Sequence, residues 1–422
     1  RVRGTNGPSL SPLSLISPKP VASWAWPCYK QGYFSRMGMR DVDSKGQGAA
    51  ERLEAAGRRE AVLAHLVAAG FPRTEPSVLQ PASVFLDQAG EDIRGRIYLT
   101  SDASGAEYCL RPEYTIPVCR AYLASPAAGR AANHSYLGPV FRFRAGSASE
   151  FLQAGLESFG RSDRDAADAE VMTLALEAAE GVTGRTYHVR VGDAGLFARL
   201  LDVLDLPPFW MRRIRRGHTL GKPLSVILDR ETGTSAADHS GVLAALAGAD
   251  RAGARALVQD LLSIAGLSSV GGRSANEIAE RYLEQADAQG TAGFSDEKRA
   301  ILETFLGISG APASASLALR KLAQVTRLDL GEVLDGFDSR LNFIAARGFD
   351  LSRVAFSAGF ARNLDYYTGF VFEAYDAASD DQRPVVGGGR YDRLMRTLGS
   401  ADDIPAVGAA IWCDRLAGGD AK

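Results

Sequence analysis

The strand-like and helix-like stretches of this chain are not interleaved. They fall into three blocks, and that order restricts the possible folds more than any single motif. Between about residues 72 and 191, short extended patterns bounded by turns occupy 83–87, 97–99, 107–113, 140–144, 150–159 and 187–191. Residues 195–346 read as helical and are rich in Ala, Leu and Gly, as in 242–262, 316–325 and 333–346. In the last of these, Leu334, Phe337, Leu341, Ile344 and Ala345 share one face. Strand patterns return at 353–357, 369–375 and 406–410. Strands need neighbours, and those at the two ends of the chain satisfy one another by joining one sheet. The expectation is an α+β fold. One antiparallel sheet is flanked by helices, and a helical insertion at 195–346 divides a core of 49–194 and 347–422.

Within the first block, helices are expected from about residue 51, over 116–123 and over 165–180. The first has Leu53, Val62, Leu63, Leu66 and Val67 as its stripe and Gly70 just past its end, while Gly181 closes the last. Residues 1–48 carry seven Lys or Arg, no acid before Asp41, and frequent Ser, Pro and Gly. Such a segment builds no core. It reads as an organelle transit peptide or as an upstream extension, the latter favoured because the sequence opens at Arg1 while Met37 and Met39 lie just before ordered-looking sequence. Across 422 residues, 48 Lys and Arg face 50 Asp and Glu, so no global field is available to hold a nucleic-acid backbone. No apolar run approaches the ~18 residues that span a bilayer. Cys28, Cys109, Cys119 and Cys413 lack CxxC spacing and the five histidines form no HxxxH pair. Neither a disulfide framework nor a metal site is expected, and a reducing compartment is.

Four short constellations carry the chemistry. In Leu110-Arg111-Pro112-Glu113-Tyr114-Thr115, strand alternation would set Arg111 and Glu113 opposite Leu110 and Pro112, with Glu113 able to receive an ammonium group. In 151–157, Gln153, Gly155 and Glu157 share one face, and a glycine between two polar side chains leaves room for a small ligand. Residues 361–373 set Tyr366 and Tyr367 between Arg362 and a strand, offering a wall and a hydroxyl to an aromatic or imidazole ring. Gly387-Gly388-Gly389 permits close backbone approach, or forms an ordinary hairpin turn. Read singly, these stretches are explained as well or better by a solvated sheet face, interior packing or a turn. Arg212, Arg213, Arg215 and Arg216 likewise read as a solvated helix face ahead of a partner or anion surface.

Taken together and in order, the segments 110–115, Tyr136-Leu137-Gly138-Pro139-Val140-Phe141-Arg142, 151–157, 362–373, 388–392 and 405–416 resemble the catalytic core of class II histidyl-tRNA synthetases over roughly residues 55–420. The resemblance implies a six-stranded antiparallel sheet with flanking helices, and a self-dimer through that core. It implies a histidine pocket at Glu113, Thr115, Gln153, Glu157, Arg362, Tyr367 and Tyr391, with Arg142 and Arg415 in the positions that grip ATP. The residue types suit those tasks. Glu113, Gln153 and Glu157 match an ammonium group or ring nitrogen, Arg362 a carboxylate, and the tyrosines supply walls and hydroxyls.

The departures matter more. Where the synthetases read Phe-Arg-x-Glu, this chain has Phe141-Arg142-Phe143-Arg144, a cation in place of the carboxylate that accepts from adenine. The loop 145–149 is short and has no arginine. In the third motif, Gly-x-x-x-Gly-x-x-Arg becomes Gly408-Ala409-Ala410-Ile411-Trp412-Cys413-Asp414-Arg415, with an indole where a missing side chain would let the purine stack. Volume of that size in a packed cleft costs a few kcal/mol, so ATP is expected to bind poorly. The sequence stops at Lys422 without the anticodon-reading module, so specific tRNA recognition is not expected. A synthetase-like core with an amino-acid pocket and a degenerate ATP site resembles the regulatory-subunit family of ATP phosphoribosyltransferase. That resemblance implies a cytoplasmic, non-catalytic partner of a short catalytic subunit in a hetero-octamer. It also implies histidine as feedback effector in the first step of histidine biosynthesis, and no cofactor. The alternatives are an active histidyl-tRNA synthetase, favoured by Arg142, Arg362 and Arg415, and a free-standing histidine-sensing pseudoenzyme.

Overall fold

A computed structural model describes residues 49–86, 94–228, 294–362, 366–379 and 383–416, with short pieces at 256, 260, Ser269–Val270 and Arg273–Ser274. The expected N-terminal extension 1–48 and nearly all of the expected helix 242–262 lie outside the described residues. Helix α1 (Ala49–Ala68) buries Val62, Leu63 and Leu66 against the sheet, while Leu53 and Val67 point to solvent rather than joining the stripe. Gly70 follows it with a positive φ. A small sheet comes next, from β1 (Leu79–Pro81), β2 (Leu99–Ser101) and β3 (Glu107–Leu110) in the order β1-β3-β2. The expected strand at 83–87 is instead a short helix, α2 (Ser83–Leu86), which inserts Phe85 into the core. The expected strand at 97–99 begins at its last residue and runs on to Ser101.

The principal sheet is built from β4 (Ala132–Phe141), β5 (Glu150–Phe159), β6 (Tyr187–Asp193), β9 (Ser309–Gly310), β10 (Val354–Ser357), β11 (Phe370–Asp376), β12 (Val386–Arg390) and β13 (Ala406–Trp412). Their order is β4-β5-β13-β12-β11-β6-β10-β9. The first six in that order pair antiparallel throughout, as expected. Beyond them β10 runs parallel to β6, and β9, inside the helical block, pairs with β10. Two short strands, β7 (Ser269–Val270) and β8 (Arg273–Ser274), form a separate ribbon.

Here one expected boundary fails and one open alternative, close approach over a turn, is decided for physical reasons. Strand β4 starts at Ala132 and ends at Phe141, earlier at both ends than the expected 140–144, because Pro139 does not break it. The strand lies at the sheet edge, where a missing N–H costs no ladder bond. The glycine triplet 387–389 is no turn. It lies inside β12, between β11 and β13.

One face of the sheet is covered by α1, by α4 (Arg164–Thr183), and by α10 (Gly331–Ala346) from the helical block. α4 runs past Gly181 and is closed by Gly184, whose φ of 64° is left-handed. The helical block continues through α5 (Ala194–Val203), α6 (Pro208–Thr219), α7 (Leu224–Leu228), α8 (Asp296–Leu306) and α9 (Pro312–Thr326). Its apolar faces join the same core as α1, α4 and the sheet. In α6 the arginine cluster is largely engaged within the chain: Arg213 donates to the Ile227 carbonyl and Arg215 to Asp202 at 2.7 Å. Among the described residues no helix is long and apolar enough to cross a membrane.

A buried ionic network ties these layers together. Arg340 of α10 bonds Asp168 of α4 and Asp193 at the end of β6, each at 2.8 Å. Arg390 of β12 reaches Asp168 at 2.7 Å and Asp392 at 2.8 Å. Asp193 also caps α5, accepting from the Gly195 and Leu196 amides.

Two glycine substitutions separate packing from propensity. Gly181→Ala, in an open helical position, raises stability by roughly 0.5–1 kcal/mol. Gly155→Ala drives a methyl into the Tyr136 hydroxyl and the Ala409 carbonyl and lowers it by roughly 1–3 kcal/mol. Urea unfolding of the two variants checks both signs.

Candidate functional site

The sheet face away from α4 is paved with glycine. Gly155 of β5 lies beneath the Tyr136 ring, and Gly408 of β13 beneath the Glu157 carboxylate. In β12, the Arg362 guanidinium and the Tyr367 ring would both stand 2.9 Å from a Cβ placed at Gly387 and Gly389 respectively. Any larger residue at these points would lift the side chains off the sheet. The expected space above Gly155 is therefore not open to a ligand, because Tyr136 from the neighbouring strand fills it.

Above that floor the seven expected ligand residues meet. β3 ends at Leu110, so strand alternation does not extend to Glu113. Glu113 instead accepts from the Thr115 amide at 2.7 Å and the Ile116 amide at 2.9 Å, at the start of α3 (Thr115–Leu123). A carboxylate is stabilised there by the unpaired amides and the helix dipole. Thr115 Oγ1 donates to Glu157 at 2.8 Å, and the Tyr391 hydroxyl donates to the other Glu157 oxygen. Tyr391 packs edge-on against Tyr366 at 5.7 Å, and Tyr366 lies 4.9 Å from Tyr367. The Tyr367 hydroxyl accepts from Arg362 at 3.1 Å. The Arg362 guanidinium lies 5.8 Å from the Trp412 ring. Gln153, its amide carbonyl turned toward the donors, accepts from Trp412 Nε1 at 3.1 Å and Arg142 at 3.0 Å. The field of Glu113 acts in turn on Arg142. The contacts run as a ring of neighbours from Glu113 and Thr115 round to Gln153 and Arg142.

The residues of the expected degenerate ATP site, the retained Arg142 and Arg415 and the intruding Arg144 and Trp412, also have defined partners. Trp412 is buried at the end of β13, with Arg415 4.8 Å from its ring, while Arg415 donates to the Pro384 carbonyl. Arg142 donates to the Pro112 carbonyl at 2.7 Å, and loss of water lowers its pKa to about 10. Arg144 folds back 3.9 Å above the Phe151 ring, donates to the Ala148 carbonyl, and lies 3.6 Å from Asp414. Its positive charge is thus partly offset. Among the described residues no three His, Cys, Asp or Glu side chains are grouped to hold a metal.

Sequence reasoning missed several members of this region. Arg111, expected on a polar strand face, is buried; it donates to the Pro139 carbonyl at 2.8 Å and the Pro76 carbonyl at 2.6 Å, and lies 4.0 Å over Tyr114. Tyr114 stacks on Tyr136 with centroids 4.3 Å apart, which holds the ring that covers Gly155. Glu373, Arg190 and Tyr375 form a polar cluster behind Arg362. The period-2 spacing of Glu373 and Tyr375 was the available signal.

Burial pushes the Glu157 carboxyl up to about 8, with the Glu113 charge adding to the rise and the Tyr391 and Thr115 hydrogen bonds opposing it. Burial raises Glu113 as well. The folded protein therefore holds a proton on Glu157, between its ordinary value and about pH 8, that the unfolded chain has released, so this group's contribution to stability falls as pH rises through that window. Glu157→Gln removes the effect. The stability of the variant relative to the parent should climb from pH 5 to 8, by at most about 1.4 kcal/mol per pH unit. Urea midpoints across that range would refute this if the difference stayed flat.

A profile of the histidyl-tRNA synthetase family matches residues 38–216 and 243–416. The ATP phosphoribosyltransferase regulatory subunit of Brucella canis is 39% identical over 345 residues, covering 81% of this chain and 91% of the relative. That of Brucella abortus biovar 1 matches to the same extent. A crystal structure of an ATP phosphoribosyltransferase regulatory subunit/histidyl-tRNA synthetase from Bacillus halodurans superposes with a TM-score of 0.59 at 20% identity, over 90% of this chain and 83% of that one. The histidyl-tRNA synthetase of Nostoc sp. PCC 7120 gives 0.56 at 18% identity, over 87% and 71%. These two likenesses concern the fold. With a core that follows the class II synthetase sheet, and with relatives of one name matched over most of their length, the chain belongs to the ATP phosphoribosyltransferase regulatory subunit family, on the histidyl-tRNA synthetase fold.

Proposed function

We propose that the chain is the non-catalytic regulatory subunit of ATP phosphoribosyltransferase, a glycosyltransferase complex. In this reading it is required by a short catalytic subunit in the first step of histidine biosynthesis, and it carries histidine feedback. The observation that supports this most is Trp412. Its indole is wired to Gln153 and flanked by Arg362 and Arg415, so the position where a purine would stack is occupied by a hydrogen-bonded part of the neighbouring amino-acid site. Histidine is the proposed effector. Arg362 would take its carboxylate, Glu113, Gln153 and Glu157 its nitrogens, and Tyr367 and Tyr391 would flank its ring, with Thr115 holding Glu157 in place. Feedback is then a coupling free energy between this ring and the active site of the partner, on the order of 1–3 kcal/mol. The proposed assembly is a cytoplasmic hetero-octamer with the catalytic subunit, its synthetase-like cores self-dimerised.

An active synthetase is the competing reading, favoured by retention of Arg142, Arg362 and Arg415. Arg142 and Arg415 here donate to the Pro112 and Pro384 carbonyls, and Trp412 stands between the two sites. Three measurements decide. Purified chain added to the short catalytic subunit should raise phosphoribosyl-ATP formation, and histidine should then suppress it; no stimulation would overturn the proposal. Millimolar histidine should raise the melting temperature, because its binding stabilises the folded state by RT ln(1 + [L]/Kd). Histidine-dependent pyrophosphate exchange into ATP should stay at background, and exchange above it would establish the synthetase.

A further inference from the structure

We propose that Arg190 is a positioning residue: by holding Glu373 it keeps the carboxylate-binding edge of Arg362 open, and so makes the site selective for ligands that bear a carboxylate. This rests on the reading of the ring as an amino-acid site. Arg190 of β6 and Glu373 of β11 are direct partners in the sheet register, and Tyr375 stands on the same face of β11 as Glu373. Glu373 is shared between two guanidinium groups. Its Oε1 lies 3.3 Å from Arg362 Nε, while its Oε2 accepts from the Tyr375 hydroxyl at 2.6 Å and lies 3.7 Å from Arg190 Nη2. Arg190 is itself held flat, 4.1 Å over Phe360 and 5.9 Å from the Tyr375 ring.

A carboxylate left alone with an arginine closes onto it through two parallel bonds. Here that pairing is prevented because Oε2 is claimed from the other side. Glu373 meets Arg362 at Nε through one oxygen, which fixes the guanidinium above Gly387 without covering its terminal edge. On that edge Nη1 donates to the Tyr367 hydroxyl at 3.1 Å, and a ligand carboxylate would bind by taking over that donor. Without Arg190, Oε2 loses its cation and is held only by the Tyr375 hydroxyl. Glu373 then rotates onto Arg362 and competes with the incoming carboxylate by occupancy and by like charge. A ligand with an alcohol in that place meets no such competition.

The test titrates the full chain with histidine and with histidinol, whose carboxylate is replaced by an alcohol. The parent should prefer histidine. Arg190→Ala should weaken histidine by about tenfold or more while leaving histidinol unchanged. Adding Glu373→Gln to Arg190→Ala should restore most of the histidine affinity, a rescue that a merely structural defect would not give. Tyr375→Phe, which frees the same oxygen while removing one hydroxyl, should act in the same direction but more weakly, and it carries the test if Arg190→Ala does not fold. Equal losses for both ligands, or no rescue in the double variant, would overturn the proposal. A parent that binds neither ligand would instead defeat the amino-acid reading itself, a distinct result.

Discussion

Everything on the ligand face depends on how closely side chains approach the backbone of the sheet. Gly155, Gly387, Gly389 and Gly408 come from three adjacent central strands, and each supports a large polar or aromatic group lying flat on the pleat. Without a Cβ beneath them, Tyr136, Glu157, Arg362 and Tyr367 approach the peptide planes closely; Tyr136 and Glu157 lose water altogether and must find partners within the protein, while Arg362 and Tyr367 are partly buried. The ring from Glu113 to Arg142 follows from that exclusion. Its members bond one another and the nearby backbone, as Arg142 does the Pro112 carbonyl and Glu113 the Thr115 and Ile116 amides.

The opposite face solves a related problem with charge. Asp168, Asp193, Asp392, Arg340 and Arg390 are largely removed from water between α4, α10 and the sheet, and their polar atoms find partners in one another. Arg390 precedes Tyr391 in the chain, so the network that anchors β12 also fixes the tyrosine that donates to Glu157. Arg340 brings the helical block into the same arrangement. A displacement of α10 would be felt at the floor of the site through one aspartate.

Much of this arrangement was legible in residue order, and what was not has definite causes. Strand-rich blocks on either side of a helical one foretell a shared sheet, and the alternation of Gln153, Gly155 and Glu157 places them correctly on one face of β5. Local rules failed where tertiary position reverses their meaning. The strand expected to start at Val140 begins before Pro139, which an edge strand tolerates; of the two readings of Gly387–Gly389, the turn gives way to close approach beneath Arg362 and Tyr367; and Gly181 reads as a stop although α4 continues to Thr183. Trp412 was recognisable as added volume, but its hydrogen bond to Gln153 joins two strands and has no local signature. The same holds for Asp414 beside Arg144, and for Arg190 beside Glu373.

The position of β13 bears on how the protein can be made. It lies between β5 and β12, near the middle of the sheet, yet residues 406–412 follow every other strand in chain order. During synthesis β5 must wait with one flank unsatisfied through the whole helical block, and Gly408, the seat of Glu157, is the last part of the sheet to be made. A chain of this order keeps one edge of β5 unpaired until its last strand is made, and an unpaired edge is open to mispairing while folding is incomplete.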